Sequence, residues 1–219
     1  MAFVAGYRSG NPAEEEVLNH SPEPGEPSVI EALRNATHSL HANLGANSAM
    51  LRLFASDYTI SEYRAHLGRL LGFFEPLEIA VSRLGGSEAS PMATQRSSDL
   101  REDLHIMDAT DRDIDLLERC RTLPSITRAG LRGYTYVVLG STLGAKVIVK
   151  QLRSVLGPAA SFRFYGDEDG QHRVAWASFR SDLEEHGRND VDAICATAVG
   201  VFNAYAAWFS EPASQIGGS

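Results

Sequence analysis

Residues 28–45 read SVIEALRNATHSLHANLG, and this stretch decides the fold class of the chain. The side chains on its predicted buried face recur every three or four residues, at Ile30, Leu33, Thr37, Leu40 and Leu44. This spacing is typical of one face of an α-helix. Ser28 and Glu31 form a capping box, in which the hydroxyl and the carboxylate satisfy backbone N–H groups at the helix start. The stretch therefore predicts a helix that begins at Ser28.

The same helical spacing continues through most of the chain. Thr59 and Glu62 repeat the capping-box pattern before a second, long helix that ends near Leu84-Gly85-Gly86, a glycine stop. Later helices are predicted at about 97–106, 111–119, 124–156, 172–186 and 190–209. No run of four to eight β-branched residues alternates with polar ones between turn signals. The sequence therefore predicts an all-α protein with one helical domain.

Both ends of the chain differ from the middle. Residues 1–27 alternate prolines with glutamates, and such a segment buries too little apolar surface to offset the entropy of ordering. We expect a flexible Pro/Glu-rich tail over 1–27 and a shorter C-terminal tail over 212–219. The helical domain is therefore predicted to span 28–211.

Composition narrows the classes of function. The chain has 219 residues and a formal net charge of −8, which argues against a nucleic-acid surface. No apolar run reaches the roughly 18 residues of a membrane span, and no signal-peptide pattern is present, so we expect a cytoplasmic protein. Cys120 and Cys195 lie far apart, without metal-ligand spacing, and read as small buried residues in a reducing compartment.

Gly140-Ser141-Thr142-Leu143-Gly144-Ala145 lies inside the predicted helix 124–156. Each interior glycine costs about 1 kcal/mol relative to alanine, so two glycines four residues apart require a reason. One reason is a helix crossing, where small residues let two backbones approach. The other is a flat, bulky ligand against the helix backbone, with the glycines providing clearance and a bend.

Histidines on the first helix provide a second feature. His38 and His41 are three residues apart, and Arg34 precedes His41 by seven, which is about 10 Å along one helix face. This distance is similar to the span from a haem iron to its propionates, so an iron ligand and an anion partner could share this helix. The alternative is a pair of ordinary polar-face histidines. Zinc is disfavoured, because no matching His or Cys pair appears elsewhere.

Together these segments resemble the haem oxygenase family. The segment from Ala32 to His41 is similar to the proximal helix of that family, A-L-[RK]-x-A-T-x-x-x-H, and Gly140-Ser141-Thr142-Leu143-Gly144 is similar to its distal helix in the bacterial form G-S-x-L-G. Residues 58–63, leading to 73–78, resemble the second helix of the bacterial branch. That branch includes enzymes that make biliverdin for bacterial phytochromes. The resemblance covers about residues 28–210.

The resemblance implies a fold and an activity. The fold is a single-domain helical bundle in which haem is sandwiched between a proximal helix and a kinked distal helix. Haem b is both cofactor and substrate, and is cleaved to biliverdin with release of iron and carbon monoxide. The reaction uses O2 and electrons from a ferredoxin- or flavodoxin-type donor. A bacterial phytochrome that accepts biliverdin is a further partner, and a monomer is the expected state.

The resemblance also assigns roles to individual residues. His41 matches the iron ligand, whereas His38 does not match it. Gly140, Ser141 and Gly144 match the distal segment that lies over the haem. The basic propionate contacts map to Arg34 and Arg173, and an aromatic propionate contact maps to Tyr134 or Tyr136.

Two departures from the family pattern keep alternatives open. Gly45 stands where many relatives carry a carboxylate that orients the proximal histidine, and Ser141 stands where the animal enzymes carry an aspartate. The first departure favours a second hypothesis, a non-degrading haem carrier or sensor on the same fold. A third hypothesis is a metal enzyme, since Glu102 and His105 form one E-x-x-H of the kind used in helical di-iron sites. No second copy of that motif is present.

Overall fold

The computed structural model describes residues 28–45, 48–85, 90–166 and 170–210, and within these ranges the protein is helical, with no strand. The predicted all-α class is therefore confirmed. The predicted tails, 1–27 and 212–219, lie outside the described residues.

Nine α-helices make up the described part of the chain. In chain order they are α1 Val29–Gly45, α2 Ser48–Arg52, α3 Ile60–Leu84, α4 Arg96–Ile106, α5 Asp111–Asp115, α6 Leu131–Leu143, α7 Ala145–Leu156, α8 Gln171–His186 and α9 Val191–Ser210. Short 3-10 turns lie at Pro91–Ala93, Gly157–Ala159 and Arg188–Asp190.

Both predicted capping boxes are formed. Ser28 Oγ accepts from the Glu31 N–H at 3.3 Å, and the Glu31 carboxylate accepts from the Ser28 N–H at 3.1 Å. Thr59 and Glu62 make the same reciprocal pair at the start of α3, which ends at Leu84 before Gly85, a residue with φ 62°. The local start signals of α1 and α3 and the glycine stop of α3 were therefore sufficient to predict those ends.

Two predicted helices were wrong at their ends. The predicted helix 124–156 begins only at Leu131, because the chain turns first, with the Gly130 N–H donating to the Thr127 carbonyl and hydroxyl oxygens. That helix is also interrupted at Gly144, which separates α6 from α7. The predicted helix 111–119 ends at Asp115, and Arg119 donates back to the Ile114 and Leu117 carbonyls.

The core is built around α9, which packs against both α1 and α6, while α8 also packs against both of these helices. α3 packs mainly against α4. The largest fully buried side chains include Leu33 of α1, Tyr63 and Phe73 of α3, and Tyr134 of α6. The segment Arg188–Ser210, which contains α9, is long and apolar enough to cross a membrane. In the described structure 33% of its most apolar window is buried, where α9 packs against α1 and α6.

The contact between α6 and α9 depends on two glycines. A Cβ placed on Gly133 would lie 2.0 Å from the Ile194 carbonyl oxygen, and one placed on Gly130 would lie 2.0 Å from Thr197 Oγ1. The two helix backbones therefore approach more closely than any larger residue permits. The crossing role that the sequence offered for Gly140 and Gly144 belongs instead to Gly130 and Gly133 for this pair of helices.

Two polar groups are buried within the aromatic part of the core. His66 Nε2 lies 2.7 Å from the Tyr165 hydroxyl, and both side chains are buried. Burial lowers the pKa of His66 to about 4. The imidazole is therefore neutral at pH 7 and shares a hydrogen bond with the tyrosine hydroxyl.

We predict that Gly133→Ala destabilises the protein by about 3 kcal/mol, because the clash is with backbone that cannot rotate away. This loss corresponds to a melting temperature about 6–12 °C lower. Thermal denaturation followed by circular dichroism measures it. Gly68→Ala is the matched control, because its new Cβ meets only the end of the flexible Leu117 side chain. Equal melting temperatures for the two variants would contradict the prediction.

We predict that His66 makes the folded state sensitive to acid. Its pKa is lower in the folded than in the unfolded state, so the unfolded state binds the extra proton as pH falls below about 6.5. Between pH 7.5 and pH 5 this removes about 2 kcal/mol of stability. Urea denaturation of wild type and His66→Gln at both pH values tests it. A loss of stability that is equally steep in the variant would refute the assignment.

Candidate functional site

Arg34, Thr37 and His41 lie on one face of α1, because their spacing of three and four residues returns to the same side of a helix. Thr37 is buried and donates to the Leu33 carbonyl at 2.7 Å, whereas Arg34 and His41 are exposed. This face is termed the proximal wall.

Tyr136 and Gly140 lie on one face of α6, and Gly144 follows at the end of that helix with the same spacing of four. This face, from Tyr136 to Gly144, is termed the distal wall. Trp176 of α8 lies against it, with its ring 5.8 Å from that of Tyr136 and 3.7 Å from where a Cβ on Gly140 would lie.

The two walls meet at one buried contact. The Tyr136 hydroxyl lies 3.4 Å from Thr37 Oγ1, although the two residues are 99 positions apart. His41 is one helical turn beyond Thr37, and Gly140 is one helical turn beyond Tyr136, so each lies about 6 Å along its own helix from the shared contact. The predicted histidine and the predicted glycine segment are therefore each within about one helical turn of the same buried contact.

Gly140 lies beside the Trp176 ring on the distal wall, with room for one more carbon atom. A Cβ placed there would meet only Trp176 ring atoms, at 3.7 and 3.8 Å, which is ordinary contact. This differs from Gly133, where the backbone of α9 fills the same space. Packing between the described helices does not require a glycine at position 140. The presence of glycine there must therefore have another cause.

Gly144 divides the distal segment into two helices, and its backbone keeps a right-handed conformation, with φ −83° and ψ −11°. Leu143 ends α6 and Ala145 begins α7. The Ser141 hydroxyl donates to the Val138 carbonyl at 2.7 Å. Its lone pairs remain able to accept a hydrogen bond from a ligand or a water molecule.

The electrostatics of His41 suit a metal-ligating imidazole. Partial burial lowers the pKa of His41, and the nearby His38 lowers it further. The ring packs edge-on against Phe202 of α9, with centroids 6.2 Å apart. His41 is therefore neutral at pH 7, which is the form that binds a metal ion.

The remaining predicted residues fall into two groups. Arg34 is an exposed cation on α1, the helix that carries the proximal wall. Arg173 is an exposed cation on α8, the helix that lies against the distal wall. Tyr134 is fully buried, and its hydroxyl donates to the Ala93 carbonyl. Tyr136, which lies on the distal wall, is therefore the better candidate of the two tyrosines.

Sequence reasoning missed three residues that build this region. Thr37 entered only as a member of an apolar face, Trp176 was not singled out, and Glu184 was not considered. The two distant hydrogen bonds that Glu184 accepts, from the Val29 and Ile30 N–H groups, join α8 to α1. The A-T pair within the proximal motif was the one sequence signal that pointed to Thr37.

The alternative di-iron site is not supported by the residues that the structure describes. Glu102 pairs with Arg163 at 3.0 Å, and His105 Nδ1 lies 2.9 Å from the Ala109 carbonyl oxygen. No group of three or more metal-ligating His, Cys, Asp or Glu side chains occurs within the described ranges.

A surface recess of about 750 Å³ near Arg153 and Arg163 contains none of the predicted site residues.

Comparison with known proteins gives one match. The family model described as Heme oxygenase matches residues 28–211, which include both walls. A search of curated proteins found no matching relative.

We predict that Gly140→Ala leaves the stability of the ligand-free protein unchanged or raises it by up to about 1 kcal/mol. The reason is that alanine is the better helix former and the new Cβ makes only ordinary contacts. Urea denaturation beside Gly133→Ala measures the contrast. A destabilisation of Gly140→Ala as large as that of Gly133→Ala would show that Gly140 is also a packing glycine.

Proposed function

The chain belongs to the haem oxygenase family, and from this premise we propose that it cleaves haem oxidatively to biliverdin, with release of iron and carbon monoxide. The family makes haem the substrate and haem degradation the class of activity. When bound, haem supplies the redox-active iron and the porphyrin edge that O2 oxidises, with electrons from an external donor.

The observation that carries the proposal is the meeting of the two walls at Thr37 and Tyr136. One helical turn beyond that contact, the proximal wall carries the His41 imidazole and the distal wall carries Gly140, which has no side chain. The proposed flat ligand would lie with a side-chain nitrogen on one side and helix backbone on the other. The donor set fits haem, because a neutral histidine is an established axial ligand of haem iron.

His41 is the proposed iron ligand. Its lowered pKa keeps the imidazole neutral, so no proton has to be displaced before the ring nitrogen binds the metal. Phe202 packs against the ring and restricts its rotation. His38, also exposed and three residues earlier, has no role in the proposal and provides a matched control.

The distal wall limits the space above the haem. With glycine at 140 and 144, backbone rather than a side chain would face the haem, and α6 ends at Leu143 before α7 begins at Ala145. No charged side chain occurs from Tyr134 to Ala145. This distal segment therefore supplies no strong acid, and the Ser141 hydroxyl is a weak hydrogen-bonding group that can hold a water molecule.

Cations at the rim suit the haem propionates. Arg34 lies two turns before His41 on α1, which is about 10 Å and similar to the distance from iron to propionate. Arg173 is exposed on α8, and the Tyr136 hydroxyl lies beside Thr37, where the two walls meet. We assign the propionate contacts to Arg34, Arg173 and Tyr136, with Tyr134 serving the core.

The branch of the family and the partners are proposed from the sequence motif. Gly140-Ser141-Thr142-Leu143-Gly144 has the bacterial form, so the proposal includes the bacterial, biliverdin-producing branch. Its donor is then of the ferredoxin or flavodoxin type, and a bacterial phytochrome is a candidate acceptor of biliverdin. A cytoplasmic monomer completes the proposal.

We predict that purified protein binds hemin at one-to-one stoichiometry with a Soret band, and that His41→Ala shifts this band and weakens binding roughly tenfold or more. His38→Ala should behave as wild type. Absorption titrations of the three proteins measure both quantities. Equal spectra for wild type and His41→Ala would contradict the ligand assignment, and no saturable binding by wild type would contradict the function.

The same samples separate an enzyme from a non-degrading carrier or sensor. With a chemical reductant in air, an enzyme converts the bound haem to a bile pigment that can be extracted and identified by its absorption. Gly45, in place of the usual proximal carboxylate, is the observation that favours a carrier. Stable ferrous haem without pigment would therefore support the carrier hypothesis.

A further inference from the structure

The start of α1 is attached to a helix far away in the sequence. The two carboxylate oxygens of Glu184, on α8, accept from the Val29 N–H at 3.2 Å and from the Ile30 N–H at 3.0 Å. The first N–H groups of a helix have no partner within that helix, and the positive end of the helix dipole favours a carboxylate there. Glu184 is therefore a cap supplied by tertiary structure.

Local residues already cap the helix in other ways. Ser28 Oγ accepts from the Glu31 N–H, and the first intrahelical bond runs from the Ala32 N–H to the Ser28 carbonyl. The capping box and the 17-residue length give α1 its own means of beginning at this point. The distinctive contribution of Glu184 is thus to join α1 to α8.

α8 is also joined to the distal wall, close to the same point. Arg132 of α6 donates to both carboxylate oxygens of Asp182, at 2.8 and 3.2 Å. Residues two apart on a helix point about 200° away from each other, so Asp182 and Glu184 face opposite sides of α8. Leu183 between them is fully buried. The end of α8 therefore binds both wall helices through two adjacent acidic side chains.

We propose that Glu184 is a positioning residue for His41, which sets the location of α1 relative to the distal wall. α1 is continuous from Val29 to Gly45, so a shift at its first turn moves His41, three turns later. This inference rests on the proposed function, because it concerns His41 as the ligand of haem iron. Glu184 contacts neither wall surface through its described hydrogen bonds and acts through the backbone of α1.

The test compares Glu184→Ala and Glu184→Gln with Glu185→Ala in the full chain. Glu185 is a matched control, because it is the next residue on α8 and its side chain is 70% exposed. Hemin affinity is measured by absorption titration, and the iron–histidine stretching band of the ferrous complex by resonance Raman spectroscopy. The second readout reports His41 geometry, which a change in overall stability alone does not move.

We expect Glu184→Ala to weaken hemin binding about tenfold and to shift the iron–histidine band. Glu184→Gln should be intermediate, because the amide oxygen can still accept from one N–H. Glu185→Ala should match wild type. Thermal denaturation of each apoprotein identifies a variant that fails to fold, and the Gln variant then carries the comparison.

The outcomes distinguish a failure of this inference from a failure of the proposed function. Wild type that binds hemin, with the same affinity and band position in Glu184→Ala and Glu185→Ala, would overturn this inference and leave the proposed function intact. Wild type without saturable hemin binding would overturn both. A shifted band in the Glu184 variants, with the Glu185 variant unchanged, supports the positioning role.

Discussion

The close contact between α6 and α9 at Gly130 and Gly133 is the constraint on which the candidate site depends. A Cβ at Gly133 would lie 2.0 Å from the Ile194 carbonyl oxygen, so the two backbones touch without an intervening side chain. α9 also packs against α1 and carries Phe202 beside His41. The position of α6 against α9 therefore determines how far the distal wall stands from the proximal wall. Because interiors are close-packed and respond to small volume changes, any shift at this crossing is transmitted to the site.

Buried and half-buried carboxylates complete this arrangement by binding backbone N–H groups far away in the chain. Glu184 caps α1, Glu78 accepts from the Ser97 N–H at the start of α4 at 3.0 Å, and Asp103 accepts from the Arg163 and Phe164 N–H groups at 2.8 and 2.9 Å. Such charge-assisted hydrogen bonds are stronger than neutral ones and are directional. They connect segments that hydrophobic packing alone would leave free to slide. The wall helices are thus held both by apolar contact and by a small number of oriented polar bonds.

Several features were predictable because their causes are local. The capping boxes at Ser28 and Thr59 and the stop at Gly85 depend on residues within one helical turn. The face that carries Arg34, Thr37 and His41 follows from helix periodicity alone. The helix 124–156 was predicted wrongly, because residues 124–130 have helical spacing but turn at Thr127 and Gly130. Gly140 and Gly144 were singled out and their role stays a prediction, whereas Gly133, the glycine with the tighter contact, was not singled out.

The sequence by itself determined the helical class, the start of the proximal helix and the face that carries His41. It also determined that the two distal glycines lie four residues apart in one segment. It did so because propensity, capping and periodicity act over one to a few turns. Only the tertiary structure decided that Thr37 meets Tyr136, that Tyr134 serves the core, and that Gly133 is a packing glycine while Gly140 has room for a Cβ beside Trp176. Glu184 as a cap of α1 also belongs to this second group. These contacts join residues from about 40 to 155 positions apart, and no local pattern encodes which distant backbone or side chain will lie opposite.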